Sequence, residues 1–173
     1  MGLLRNRHAA PVAGTRYRMR QRLLSIGDDY WIEHEDGSHA FRVDGKALRI
    51  RHTFVLEDAT GREVAKLQER KLGVRDKMEI ERDGHRLATV MKALVGIRDR
   101  FSIDVEDGAD LVTKGNLVDH EYEIARDGDP VAMVSKQWFA VGDTYGVAIA
   151  PGEDDALLLA ITVCIDALSH PRD

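Results

Sequence analysis

Apolar and charged residues alternate along most of this chain. Phe101, Ile103 and Val105 oppose Ser102, Asp104 and Glu106, Met78 and Ile80 oppose Lys77, Glu79 and Glu81, and Tyr122 and Ile124 oppose Glu121 and Glu123. A period of two puts one set on a buried face and the other in water, as in an antiparallel sheet with one wet side. Turn pairs punctuate the alternation at Asp36-Gly37, Thr60-Gly61, Asp83-Gly84, Asp107-Gly108, Asp127-Gly128 and Pro151-Gly152. They lie 24, 23, 24, 20 and 24 residues apart. Two strands, a hairpin turn and a connector fill one such period, so the repeated unit is a β-hairpin. About twelve strands fit before Pro151.

The last unit breaks the pattern. From Asp154 to Leu168 nearly every residue is apolar, in the order Asp154-Asp155-Ala156-Leu157-Leu158-Leu159-Ala160-Ile161-Thr162-Val163-Cys164-Ile165-Asp166-Ala167-Leu168. The acids Glu153, Asp154 and Asp155 suit the positive end of a helix, and His170-Pro171 stops one, so a helix is expected over about 153–168. Its β-branched residues (Ile161, Thr162, Val163, Ile165) support a buried central strand as the competing assignment, against which the run is long. A helix apolar on all sides belongs in a core or a membrane. At roughly 20 Å it is short of a bilayer span. The arrangement expected is therefore a mainly β fold: an antiparallel, closed β-barrel of about twelve strands whose lumen is filled by one hydrophobic C-terminal α-helix. Leu157, Leu158, Ala160, Ile161, Cys164, Ile165 and Leu168 are its predicted core residues. A solenoid would share the period but end in a polar cap, and this chain ends in its most apolar segment.

One domain over 16–170 accounts for the length of 173 residues, with 1–15, which lack periodicity, as a disordered lead-in. Charge sharpens the picture. The net charge is −5, yet residues 1–22 hold six arginines and no acid, which leaves −11 on the rest. Four of them, Arg16, Arg18, Arg20 and Arg22, alternate with Tyr17 and Met19 and so line one face of the first strand. Cys164 is the only cysteine, which excludes an internal disulfide and fits a reducing compartment. With no apolar leader run, no signal peptide is expected and the cytoplasm is the expected location, including its membrane surface.

Hairpins repeated around the chain and followed by one apolar helix resemble the LURP-one-related family, of the tubby C-terminal-like and phospholipid-scramblase-like group. The similar segments are Tyr17-Arg18-Met19-Arg20-Gln21, Tyr30-Trp31-Ile32, Phe41-Arg42-Val43-Asp44-Gly45-Lys46 and Asp154–Leu168. The resemblance runs from about Arg16 to Leu168 and has no short diagnostic motif. It implies a twelve-stranded barrel around a central helix, and no enzyme activity. Tubby-like relatives bind phosphoinositides and scramblase-like relatives act at membranes, but no lipid-binding motif of either matches here residue by residue.

The arginine row Arg16, Arg18, Arg20 and Arg22 is the candidate ligand-binding surface, for an anionic lipid head group, a phosphoinositide or another phosphorylated ligand. The competing reading pairs these arginines with Glu33 and Glu35 across the strands. No aromatic residue shares that face, so nucleic acid is not an expected partner. Lys46, Arg49, Arg51, Lys66, Arg70, Lys71, Arg75 and Lys77 could rim one barrel mouth. They are interleaved with Glu57, Asp58, Glu63, Glu69 and Asp76, which favours a salt-bridged surface. His34, His39 and His120 with Glu121 do not reach metal-site spacing, so no metal or cofactor is expected. Cys164 reads as core, Gly142–Gly146 as a turn entering a strand, and Trp31, Trp138 and Phe139 as rim packing. No catalytic residue is assigned. The composite expectation is a non-enzymatic binding or scaffold domain. The rival classes are a membrane-active scramblase-like protein and an enzyme with a barrel-mouth site.

Overall fold

The computed structural model describes residues 14–20, 29–45, 53–71, 76–93, 100–139 and 142–169. Inward apolar positions at every second residue fold these into twelve strands. They are β1 (Thr15–Arg20), β2 (Tyr30–His34), β3 (His39–Asp44), β4 (Thr53–Asp58), β5 (Glu63–Lys71) and β6 (Asp76–Arg82). The second half adds β7 (His85–Lys92), β8 (Phe101–Val105), β9 (Leu111–Asn116), β10 (Glu121–Arg126), β11 (Asp129–Ser135) and β12 (Thr144–Ile149). Each pairs antiparallel with its neighbour in sequence, and β1 pairs with β12 from Thr15↔Ile149 to Arg20↔Thr144, which closes the barrel. Closure leaves the sheet without edges. The expected mainly β barrel, with about twelve strands, is the fold observed.

The Asp-Gly pairs do what their chemistry allows. Asp83 and Gly84 have φ of 52° and 77°, and Asp127 and Gly128 have φ of 51° and 88°, so both pairs form two-residue turns that need positive φ twice. The hairpin turns after even-numbered strands gather at one mouth, where β12 also delivers the chain to the helix α1 (Asp155–Ser169). The odd-numbered strands end at the opposite, far mouth.

The helix runs inside the ring. Leu158 through Asp166 are all buried, and nine consecutive helical residues sweep every direction around the axis. It packs against β5, β6 and β7 on one side and β12 on the other, and β6 and β12 are diametrically opposed in a twelve-strand ring. The predicted core residues Leu158, Ala160, Ile161, Cys164, Ile165 and Leu168 are buried, while Leu157 is only partly buried against the same core. The competing strand assignment for this run is excluded. The two polar residues of the run, Thr162 and Asp166, are buried with it. Thr162 spends its hydroxyl on the Leu158 carbonyl at 2.9 Å. Asp166 requires partners from the barrel wall.

Residues 1–13 of the expected lead-in, Arg22, and the rim candidates Lys46, Arg49, Arg51 and Arg75 lie outside the described residues.

Candidate anion-binding face and the filled lumen

Alternation on β1 sends Tyr17 and Met19 inward and Arg16, Arg18 and Arg20 outward. The register sets Arg18 opposite Glu33 on β2, and the Arg18 Nε and Nη2 both donate to Glu33 Oε2, at 2.9 and 2.5 Å. Arg16 Nη1 stands 3.6 Å from Glu35 Oε1, an ion pair beyond hydrogen-bond length. Arg20 is exposed and has no ion-pair partner among the described residues. The cross-strand pairing of Arg16 and Arg18 with the acids at 33 and 35 is therefore present.

The second flank of the arginines was not foreseen. After β11 the chain makes a single 3-10 turn, Lys136–Trp138, capped by Ser135, whose hydroxyl accepts from the Gln137 N–H at 3.1 Å. Glu121 fixes the same turn, accepting from the Ser135 hydroxyl at 3.0 Å and the Lys136 N–H at 2.9 Å. Trp138 and Phe139 are thereby laid over Gly146 of β12, where a Cβ would come within 2.6 Å of the Trp138 ring and 2.9 Å of the Phe139 ring. The Arg16 guanidinium lies 5.1 Å from the Trp138 ring centroid and that of Arg18 lies 5.8 Å from the Phe139 centroid, both within cation–π reach. Aromatic residues do share the arginine face, supplied from more than a hundred residues along the chain. Trp138 also lines an open groove of about 570 Å³ with Lys114, Glu123, Met133 and Gln137.

Elsewhere the outer surface is a lattice of opposite charges. Arg42 pairs with Asp29 and Glu57, Arg70 with Glu79 and Glu81, and Arg86 with Glu79 and Glu106. Of the rim candidates, Arg70 stands in such a pairing. Trp31 stacks on His39 at 4.0 Å and His34 packs on Tyr17 at 5.4 Å, so the two histidines serve different aromatic partners. Among the described residues no cluster of His, Cys, Asp or Glu could hold a metal ion.

Inside, the helix is fastened at both ends. At the entry mouth its three leading acids go to three well-separated strands. Glu153 takes Arg126 of β10 in two bonds of 2.7 and 3.0 Å, Asp154 takes Arg82 of β6 at 2.8 and 3.2 Å, and Asp155 accepts from the Tyr17 hydroxyl of β1 at 2.5 Å. Asp154 is also the N-cap, accepting from the Leu157 N–H at 3.0 Å. Burial raises the Asp154 carboxyl pKa, but the hydrogen bond from Arg82, the bond from Leu157 N–H and the Arg82 charge together hold it below the ordinary value. Toward the far mouth, Asp166 accepts from the Tyr145 hydroxyl at 2.5 Å and lies 3.2 Å from His120 Nε2. The His120 ring stacks on Tyr145 at 4.4 Å, and its own backbone sits at φ 51°, an uncommon conformation for a non-glycine residue. The buried hydroxyls of Tyr30 and Tyr122 complete the surroundings. Burial, then the Asp166 charge, pushes Tyr30, Tyr122 and Tyr145 well above the ordinary tyrosine range, so all three stay neutral. Burial likewise pushes the Cys164 thiol up, consistent with an inert core residue. His120 and Asp166 are 3% exposed each, which closes this constellation to substrates.

Among the described residues no helix is long and apolar enough to cross a membrane. A model of the family described as LURP-one-related matches residues 15–166. Comparison with curated proteins finds no match. Among solved structures, the X-ray structure of a protein from Arabidopsis thaliana is similar with a TM-score of 0.68 at 18% identity, covering 93% of this chain and 94% of that one. At that identity the likeness speaks to fold alone.

Proposed function

The chain belongs to the LURP-one-related family, matched over nearly its whole described length, and from that premise we propose that it is a non-enzymatic binding domain. Its concrete form is recognition of an anionic lipid head group or phosphorylated ligand through the exterior face of β1, Arg16, Arg18 and Arg20. The observation that carries this reading is the filled lumen. A helix buried on every side leaves no interior chamber for a substrate, so recognition falls to the outside of the barrel. On that outside, Arg42, Arg70 and Arg86 each answer two acids and Arg82 and Arg126 each a bidentate acid, whereas Arg20 is exposed and the acid nearest Arg16 stands at 3.6 Å. An exposed pair of that length is worth about 0–1 kcal/mol, which an incoming phosphate outweighs. The net charge of −5 means that attraction to an anionic surface is local to this face and falls with salt.

Flotation on vesicles with and without anionic lipid tests the proposal. Wild type is expected to float with anionic vesicles, and Arg20→Glu and Arg18→Glu/Arg20→Glu to lose that association while staying folded by circular dichroism. Equal flotation by all three proteins sinks it.

A further inference from the structure

Arg16 and Arg18 are each held between a carboxylate and an aromatic ring: Glu35 and Trp138 for the first, Glu33 and Phe139 for the second. Resting on the anion-binding reading of this face, we infer that Glu33 and Glu35 are resident competitors that make it selective for dianionic phosphomonoesters over monoanions.

The argument is one of exchange. Glu33 already occupies the Nε and one Nη of Arg18 with short bonds. A carboxylate or phosphodiester that displaces it swaps one negative charge for another and leaves Glu33, only 28% exposed, without its partner. Such an exchange gains nothing. A phosphomonoester carries about −1.5 to −2 at neutral pH and three acceptor oxygens, so the same exchange gains charge and hydrogen bonds. Arg18 and Arg20 stand on one face two residues apart, about 7 Å along the strand, within reach of one phosphate for two long side chains. The aromatic rings behind Arg16 and Arg18 keep the guanidinium groups in place, so an arriving phosphate moves the glutamates and not the arginines. Arg20, with no acid opposite it among the described residues, is the first contact.

Vesicle flotation at matched surface charge separates the cases, using phosphatidic acid as the phosphomonoester and phosphatidylserine as the monoanion. Wild type is expected to float with phosphatidic acid at least tenfold better than with phosphatidylserine. Glu33→Gln/Glu35→Gln removes both competitors and should raise binding to phosphatidylserine by roughly fivefold per charge, which collapses the preference. Inorganic phosphate added to the phosphatidic acid arm distinguishes sources: release at millimolar phosphate identifies a free phosphorylated ligand as sufficient, and retention identifies the lipid surface as required. Equal binding of wild type to both lipids, or an unchanged preference in the glutamine variant, overturns the inference while leaving the anion face intact. No binding by wild type or variant to either lipid overturns the anion face itself.

Discussion

Replacing Asp166 with alanine tests what the only buried carboxylate of the helix does. The substitution removes the acceptor of the Tyr145 hydroxyl, at 2.5 Å, and of His120 Nε2, at 3.2 Å, inside a region from which water is excluded. Each buried donor left without an acceptor costs about 1–3 kcal/mol, so Asp166→Ala should lose roughly 2–6 kcal/mol. That is a large share of the ~5–15 kcal/mol typical of a whole domain. Urea unfolding should show a lower midpoint at unchanged slope. Tyr145→Phe alone leaves the carboxylate short of one donor and should cost roughly 1.5–3 kcal/mol, the worth of a hydrogen bond to a charged group. In the Asp166→Ala background the same change deletes a stranded hydroxyl and should be neutral or stabilising. The double-mutant cycle then gives a coupling of about 2 kcal/mol or more. Simple additivity, or an Asp166→Ala variant within about 0.5 kcal/mol of wild type, would refute the account.

Acid should loosen the helix entry. Asp154 has a folded-state pKa below its ordinary value of 3.8, so its contribution is complete above that value and is lost as pH falls further; Arg82→Ala should flatten the acid limb of a stability–pH curve below about pH 4. At neutral pH the same variant should cost less than about 1 kcal/mol, since the pair is partly exposed. Gly146→Ala should lift Trp138 and Phe139 from β12, read as a red shift of Trp138 emission in a Trp31→Phe background with the barrel's circular dichroism retained. Cys164 should react with thiol reagents only at the rate of global unfolding, because it is fully buried and its pKa is raised; fast labelling in native buffer would mean that the helix leaves the barrel.

Features set by neighbouring residues were legible in the sequence. Alternation marked the strands because side-chain direction has period two, and the Asp-Gly pairs marked the hairpins because positive φ is costly for most other residues. The apolar run marked the filled lumen. What stayed hidden joins residues far apart in the chain. Arg82 and Asp154 are 72 positions apart and Tyr17 and Asp155 are 138 apart, so no spacing rule connects them. The aromatic flank of the arginines was missed for the same reason. One signal could have located the lumen cluster. The helix holds two carboxylates, Asp155 and Asp166, and the chain holds four tyrosines at inward strand positions. A charge inside an apolar run requires donors, and a barrel wall can supply them where a tyrosine replaces an aliphatic residue. Two of the four donate to those acids, Tyr17 to Asp155 and Tyr145 to Asp166, while the buried hydroxyls of Tyr30 and Tyr122 lie close enough to Asp166 to feel its charge.

The direction of the helix also orders the outside of the barrel. Because α1 enters where the even-numbered strands end, the entry mouth collects the tight hairpin turns, which carry Asp36, Asp58, Asp83, Asp107 and Asp127, and the helix acids Glu153 and Asp154, which Arg126 and Arg82 answer. Arg16 lies at that end of β1, beside Glu35, and Arg20 lies at the other, paired in register with Thr144 at the start of β12. Along β1, Glu35 and Glu33 answer Arg16 and Arg18 toward the entry mouth, so on the proposed function an arriving anion meets Arg20 first.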